Sequence, residues 1–370
     1  MRIILFYHSL VSDWNHGNAH FLRGIMRELQ ARGHQVLAYE PIDGWSLSQL
    51  RQDQGEAPIV RMQAAYPELE GHFYDPARLD LDAVLEDAEL VLVHEWNPPE
   101  LIARIGEHRA RHANYRLLFH DTHHRAVSEP QAMARYDLRH YDGVLVFGEV
   151  LREIYRQRGW AQQVWTWHEA ADTSLFKPQP QLERTHDLVW IGNWGDEERS
   201  AELHEFLIEP AAALKLSGTV HGVRYPPTAL TALQRAGLAY RGWLPNFEAP
   251  TVFARHRCTV HVPRRYYRTM LPGIPTIRVF EALACGIPLV CAPWDDAEGL
   301  FQPGADYLIA RDGAQMREHL RTLRADADFA QALAAHGLAT LRARHTCAHR
   351  VDELLAIVAS LNPIQEKEDA

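Results

Sequence analysis

The sequence predicts an α/β protein made of two Rossmann-like, doubly wound parallel-sheet domains. Short apolar runs alternate with amphipathic helical stretches along the chain, the pattern of repeated strand–helix–strand units. The alternation runs through two rounds, separated by a polar, proline-containing stretch at residues 177–185 (KPQPQLERT). The length, 370 residues, exceeds what one hydrophobic core ordinarily serves. We therefore expect an N-terminal domain at 1–176, a linker at 177–186, a second domain at 187–345 and a closing helix at 346–362.

The elements follow in order. Residues 2–7 (RIILFY), apolar after Arg2, read as a first buried strand, followed by a polar loop at 8–18. The apolar stretch is short and lacks a small-residue cleavage site, so a secretory signal is not expected. Phe21, Leu22, Ile25, Met26 and Leu29 then make one helical stripe, which Gly33 ends. Strands are predicted at 35–39, 90–94, 116–120 and 143–147, each an apolar run that turns polar at its carboxyl end. Residues 41–80 show no clear period. The second round begins at 187–191 and continues with strands near 216–221, 258–263 and 288–292. Trp160, Trp165 and Trp167 read as core or hinge packing. The charged tail at 363–370 reads as a frayed end.

Composition removes several function classes. A formal net charge of −10 disfavours a nucleic-acid partner, whose phosphates call for a basic face. No segment approaches the length of a membrane span. Cys258, Cys285, Cys291 and Cys347 lack CxxC spacing and sit in apolar surroundings. They read as reduced core thiols of a cytoplasmic protein.

The segment at 271–290 (LPGIPTIRVFEALACGIPLV) is the most informative. It reads as a glycine-containing loop, a short helix, a glycine stop and a buried strand. Thr276 is placed to cap the helix, Pro275 fixes its entry, and Gly286 suits the left-handed residue that ends it. Arg278 and Glu281 are three apart and share a helical face near the N-terminus, where backbone N–H groups and the dipole favour an anion. An arginine there suits a diphosphate, and a carboxylate one turn on suits two ribose hydroxyls. The plainer reading is an exposed ion pair.

Arg278, Phe280, Glu281, Ala282, Cys285 and Gly286 resemble the donor-binding segment of the GT-B glycosyltransferases, and more narrowly the group-1 branch that includes the spore maturation protein CgeB. Two further motifs occur in the order that family shows. One is DTSLFKP at 172–178, like its hinge; the other is HTCAHRVDELL at 345–355, like its closing helix. The resemblance implies a GT-B fold, two Rossmann-like domains facing across a cleft, with a nucleotide-sugar donor held by the C-terminal half. It also implies a final helix that crosses back to the first domain. The implied activity is glycosyl transfer to an acceptor hydroxyl without an obligatory metal. UDP is the expected donor nucleotide, and the acceptor is left open among glycans, lipid-linked groups, small molecules and proteins. A non-hydrolysing sugar-nucleotide 2-epimerase and a catalytically silent nucleotide-sugar-binding protein are the competing functions.

Other candidate residues lie at strand ends, where open α/β sheets bind their ligands. Gly192 and Asn193 follow the first strand of the second domain, with Arg199 as a nearby cation; the resemblance places this loop along the donor diphosphate. No G-x-G-x-x-G spacing marks a dinucleotide site. Arg264, Arg265 and Arg268 add positive potential or form a solvated rim. In the first domain, His120, Asp121, His123 and His124 end one strand. Adjacent residues on one turn point apart, so acid–base work by Asp121, His120 or His123 is favoured over a metal. Asn18 and His20 in the first loop, and Trp96 after the 90–94 strand, are acceptor candidates; Asp13, Asn15, His16 and Gly17 share that loop. Many retaining relatives carry a glutamate where this chain has Gly273. That departure leaves the stereochemical outcome open, with backbone N–H groups at 273–276, Thr276 included, as the substitute sugar contact.

Overall fold

The computed structural model describes residues 1–112, 114–195 and 198–361. The tail at 363–370 lies outside them. Two compact units emerge: Met1–His168 together with the chain from Cys347, and Glu169–Thr346. The stretch read as a linker, 177–186, falls within the second unit, and the division lies at His168–Glu169.

The first unit holds a seven-stranded sheet in the order β3-β2-β1-β4-β5-β6-β7. Its strands are β1 (Arg2–Phe6), β2 (Gln35–Pro41), β3 (Glu70–Tyr74), β4 (Leu90–His94), β5 (Arg116–Asp121), β6 (Gly143–Val146) and β7 (Val164–Thr166). Every pairing is parallel. The central strands read as near-continuous apolar runs because helices cover both faces of a parallel sheet. Ile3, Ile4, Leu5, Val91, Leu92, Leu117 and Leu118 are accordingly wholly buried. The strand order reverses between β1 and β4.

The Ala19–Ala31 helix buries Phe21, Leu22, Ile25, Met26 and Leu29, the stripe seen in the sequence. The Cys347–Ser360 helix belongs to the same unit. Arg32 Nη1 reaches Asp352 at 2.6 Å, and Arg32 Nη2 donates to the Ala348 carbonyl. Trp167, fully buried, donates from its indole N–H to the Arg350 carbonyl at 2.8 Å.

The second unit holds six strands in the order β10-β9-β8-β11-β12-β13. They are β8 (His186–Ile191), β9 (Gly218–His221), β10 (Leu238–Tyr240), β11 (His256–His261), β12 (Leu289–Cys291) and β13 (Leu308–Ile309). These pairings are parallel as well, and the order reverses between β8 and β11. The key helix spans Ile277–Ala284. Gly286 has φ +63°, the left-handed conformation expected at its end. Among the described residues, no helix is long and apolar enough to cross a membrane.

The strands expected at 116–120 and 258–263 shift in detail. β5 runs one residue further, so Asp121 pairs with Val146 inside the sheet. β11 stops at His261, because Pro263 has no N–H to give the ladder. The unplaced region at 41–80 contains two helices, Trp45–Gln54 and Ala57–Ala65, and the edge strand β3.

Candidate functional site

In the second unit, candidate donor residues gather at the β8/β11 switch point, where the reversal of strand order opens a crevice beyond the carboxyl ends. Arg199 ties the two loops together. Its Nη1 donates to the Val262 carbonyl at 3.0 Å, Nε to Trp194, and Nη2 to the Asn193 carbonyl in a very short contact. The guanidinium is buried and lies over the Trp190 ring, 5.4 Å from its centroid. Burial, with Arg264 beside it, pushes Arg199 down to about 10. Arg278 adds to that repulsion, while Tyr225 and Glu198 offset part of it and Glu281 pairs with Arg278 itself. The remaining like-charge repulsion on Arg199 favours an anion nearby. Arg265, by contrast, pairs with Glu202 at 3.1 Å in an exposed position and belongs to the rim.

The loop after β8 is fixed by its own polar groups. The Gly192 carbonyl accepts from Tyr225 Oη at 2.7 Å and from the Trp190 indole at 3.1 Å. Asn193 Oδ1 accepts the Val223 N–H at 2.9 Å. Asn193 therefore shapes the loop with both its carbonyl and its side chain.

Arg278 and Glu281 form a close ion pair at the start of the Ile277–Ala284 helix. Glu281 is 0% exposed, which departs from an ordinary surface pair. Its Oε1 accepts from Asn246 Nδ2 at 2.7 Å. Glu169 lies near enough for Glu281 to affect it: burial, then Glu281, raises Glu169 to about 8.

Thr276 sits at the N-cap position, but its hydroxyl does not cap the helix. It hydrogen-bonds His261 Nε2 at 3.0 Å instead, because β11 ends directly beside it. Burial, together with Arg199 and Arg278, lowers His261 to about 3. Gly273 has φ +88°, and its N–H donates to the Asp295 carbonyl at 2.7 Å. One backbone donor expected to face a sugar is thus engaged within the loop. A Cβ at this position would lie 2.8 Å from Glu298 Cγ, so the glutamate brings a carboxyl group to this spot from another loop.

The first unit carries a second cluster, at the β1/β4 switch point. His94 and His120 stand side by side in the β4–β5 register, with ring centroids 5.3 Å apart. His8, just after β1, stacks on His94 at 4.7 Å and meets His16 edge-on at 4.1 Å. Burial, with the neighbouring imidazoles, holds His8 and His94 well below the usual histidine range. Burial lowers His16 to about 4 and His120 to about 3. Both His120 ring nitrogens are buried without a hydrogen-bond partner, and the ring packs against Trp167 and Phe21.

Asp121 is wholly buried. Its Oδ2 accepts from Tyr155 Oη at 2.8 Å and its Oδ1 from the His123 N–H at 3.0 Å. Glu95, also wholly buried, accepts the Thr122 N–H at 3.0 Å. Burial, then Asp121, raises Glu95 well above the usual carboxylate range, and burial raises Asp121 too. Two carboxyls this close share a proton more readily than both ionise. Of His120, His123 and His124, His123 is the one that is partly exposed. Its ring lies 5.1 Å from Trp96.

Trp96 is 36% exposed and receives the Arg125 guanidinium 4.6 Å above its ring. Asn18 donates to Thr122 Oγ1, which also contacts His94 Nε2. His20 is buried. In the first loop, Asp13 makes a buried ion pair with Arg23 at 2.9 Å, and Arg23 also donates to the Leu10 and Val11 carbonyls. That pair is loop architecture. Glu95, Tyr155, Asn246, Glu169 and Glu298 are site residues that the sequence did not single out.

Comparison with known proteins agrees with this architecture. Residues 199–356 match the family model described as glycosyl transferase-like. No curated protein sequence matches the chain. Among solved structures, Anabaena Alr3699/HepE in complex with UDP superposes with a TM-score of 0.67 at 15% identity, covering 98% of this chain and 100% of that one. Sucrose-phosphate synthase from Thermosynechococcus elongatus gives 0.64 at 15% identity, covering 98% and 99%. The α-glucosyltransferase AGT in complex with UDP gives 0.69 at 13% identity, covering 97% and 100%. The fold is GT-B, with two Rossmann-like domains. Fold and matched segment together support a glycosyltransferase of this class.

Proposed function

We propose that this protein transfers a glycosyl unit from a nucleoside-diphosphate sugar, UDP-linked by preference, to an acceptor hydroxyl, with no metal required at the diphosphate. The observation that carries the proposal is the site at β8/β11. Arg199, Arg264 and Arg278 are concentrated beside the start of a helix whose buried Glu281 is one turn further on. Cations and helix N–H groups stabilise charge that grows on a departing diphosphate, which is the role a divalent ion otherwise fills. Glu281 holds the ribose. Arg199, bound to three carbonyls, acts chiefly as a positioning residue that fixes the Gly192–Asn193 loop. Thr276 and Gly273 shape the sugar end of the site, and Glu298 supplies the carboxyl group there. The preference for UDP rests on neighbours of the same fold that were solved with UDP.

In the first unit, His123 takes the acceptor proton. Asp121 holds the His123 backbone and is itself held by Tyr155 and Glu95. His120, lowered to about 3, stays neutral and lends polarity to the cluster without carrying a proton. Trp96 and Asn18 form the acceptor side; His20, expected there from the sequence, is 0% exposed within the Ala19–Ala31 helix and offers an acceptor no surface. The acceptor is a glycan, lipid-linked group, small molecule or protein; the net charge of −10 weighs against nucleic acid. We place the chain in the CgeB-like branch on its Arg278–Gly286 and 345–355 motifs. We place the reaction in the cytoplasm, consistent with four buried thiols and no disulfide among them.

The test is thermal unfolding with UDP, GDP, dTDP and ADP, all at one common concentration, where a nucleotide present at about 100 times its Kd adds about 2.7 kcal/mol and a weaker one adds less. UDP is expected to raise the midpoint most. A larger rise with another base would overturn the UDP preference, and no rise with any of the four would overturn the donor site.

A further inference from the structure

We propose that Asp82, His108 and His112 form a binding site for one divalent transition-metal ion, best suited to zinc, which clips together two helical segments of the first unit. The site lies away from the strand ends described above. His108 and His112 stand four residues apart near the end of the Pro99–His112 helix, which returns the chain to the start of β5. Residues at i and i+4 share a helical face. Their rings are stacked, with centroids 4.2 Å apart and planes 26° from parallel. Asp82 comes from the first turn of the Leu81–Leu85 helix, whose N-cap Asp80 accepts the Asp82 N–H and so fixes its backbone.

The distances fit one small ion. Asp82 Oδ1 lies 3.0 Å from His108 Nε2 and 3.4 Å from His112 Nε2. The three ligand atoms all lie within 4.8 Å of one another. Tetrahedral zinc, with bonds of about 2.0–2.1 Å, sets neighbouring ligand atoms roughly 3.3 Å apart. Two imidazoles and a carboxylate also suit zinc, and the 77% exposure of the Asp82 side chain leaves the fourth position open to water.

His108 is the second, independent indication. It is 97% buried, and its Nε2 makes no hydrogen bond although Asp82 Oδ1 lies 3.0 Å away. Its other nitrogen, Nδ1, lies 3.0 Å from Tyr115 Oη, which in turn donates toward the Ile105 carbonyl. In the tautomer whose Nδ1 donates to the Tyr115 oxygen while Tyr115 donates toward Ile105 at 3.4 Å, Nε2 presents a lone pair, and a bound ion selects this tautomer. A lone pair facing a carboxylate oxygen at 3.0 Å is repulsive, and a cation between the two makes it attractive. The Tyr115 contact is the type of outer-shell bond that orients a metal-bound histidine.

The experiment uses the full-length, untagged chain, stripped with chelator and titrated calorimetrically with zinc chloride. A parallel cobalt(II) titration reads tetrahedral coordination by absorption. Wild type should bind zinc and unfold at a higher temperature with it. Asp82→Asn and His112→Gln, both at exposed positions, should fold normally without metal. Each should lose one bound zinc, or weaken it by at least roughly tenfold, and lose the thermal shift. Tyr115→Phe should weaken zinc about tenfold through orientation alone. Failure of wild type to bind zinc would overturn the site. So would equal zinc stoichiometry and affinity in Asp82→Asn and His112→Gln, because the ion would then sit on other histidines.

Discussion

Glu281→Gln is the perturbation on which the donor assignment depends most. The side chain is wholly buried and already holds Asn246 through Oε1 and Arg278 through Oε2. A carboxylate offers about four acceptor sites on two oxygens, whereas glutamine offers about two on one oxygen and points two donors the other way. The variant therefore has to choose. Facing its oxygen to Asn246 sets an amide NH2 against Arg278, and the reverse sets it against Asn246. Either way at least one charge-assisted bond to a ribose hydroxyl is lost, about 1.5–3 kcal/mol. That loss corresponds to roughly 10- to 150-fold in Kd.

The assay is calorimetric titration of folded protein with uridine and with UDP. Glu281→Gln should weaken both ligands by similar factors, because both carry the ribose. Arg278→Ala should leave uridine within about twofold, since its guanidinium addresses the diphosphate. It should weaken UDP by roughly the same 10- to 150-fold and slow transfer as well. If Glu281→Gln binds uridine like wild type, Glu281 serves only to hold Asn246 and Arg278, and the ribose lies elsewhere.

Asp121→Asn should lower turnover at least tenfold while leaving UDP affinity unchanged, since Asp121 positions His123 and touches no donor; the pH profile of turnover should shift with it, and an unchanged profile with normal turnover would remove Asp121 from the reaction. Stability should fall as pH drops below 6.5. His16 (about 4), His120 and His261 (about 3) stay neutral in the fold while the unfolded chain takes up their protons, about 1.4 kcal/mol per group per pH unit. Glu40 and Glu169, each raised to about 8, and Glu95 and Asp121, also raised, oppose this because the fold keeps their protons; His8 and His94, held well below the usual range, and His221 and His256, lowered to about 4, make the histidines the larger group. Melting scans from pH 7 to 5 should show a falling midpoint, and a flat or rising one would refute the argument.

The parts of this protein legible in the sequence are those whose cause is local. The Arg278–Glu281 helix, its stop at Gly286 and the apolar central strands follow from spacing, turn chemistry and burial on both faces of a parallel sheet. β3 was illegible because an edge strand with the sequence EGHFY, exposed along most of its length, carries no apolar run. β13 is two residues long and has no pattern to read. The polar pairings were hidden for a different reason. His94 meets His120 only through the β4–β5 register, and Thr276 meets His261 only because β11 ends where the helix begins. Parallel register is fixed by crossover helices and side-chain packing far along the chain, so no window of sequence contains it. Asp121 shows the consequence. As a strand-end carboxylate it looked available for chemistry, yet Tyr155, 34 residues away, and the His123 N–H already occupy its two oxygens. The proposed function therefore gives the role of base to His123, the partly exposed imidazole whose backbone N–H Asp121 accepts. The two switch points explain why the candidates cluster at all. At β1/β4 and again at β8/β11, consecutive crossovers leave in opposite directions and uncover the strand ends. Polar side chains at those ends can be buried without being covered by a helix. One such opening gathered imidazoles and carboxyls, and the other gathered guanidinium groups. That difference in charge, more than any single residue, is what supports the proposal that the diphosphate binds the second unit and proton transfer occurs on the first.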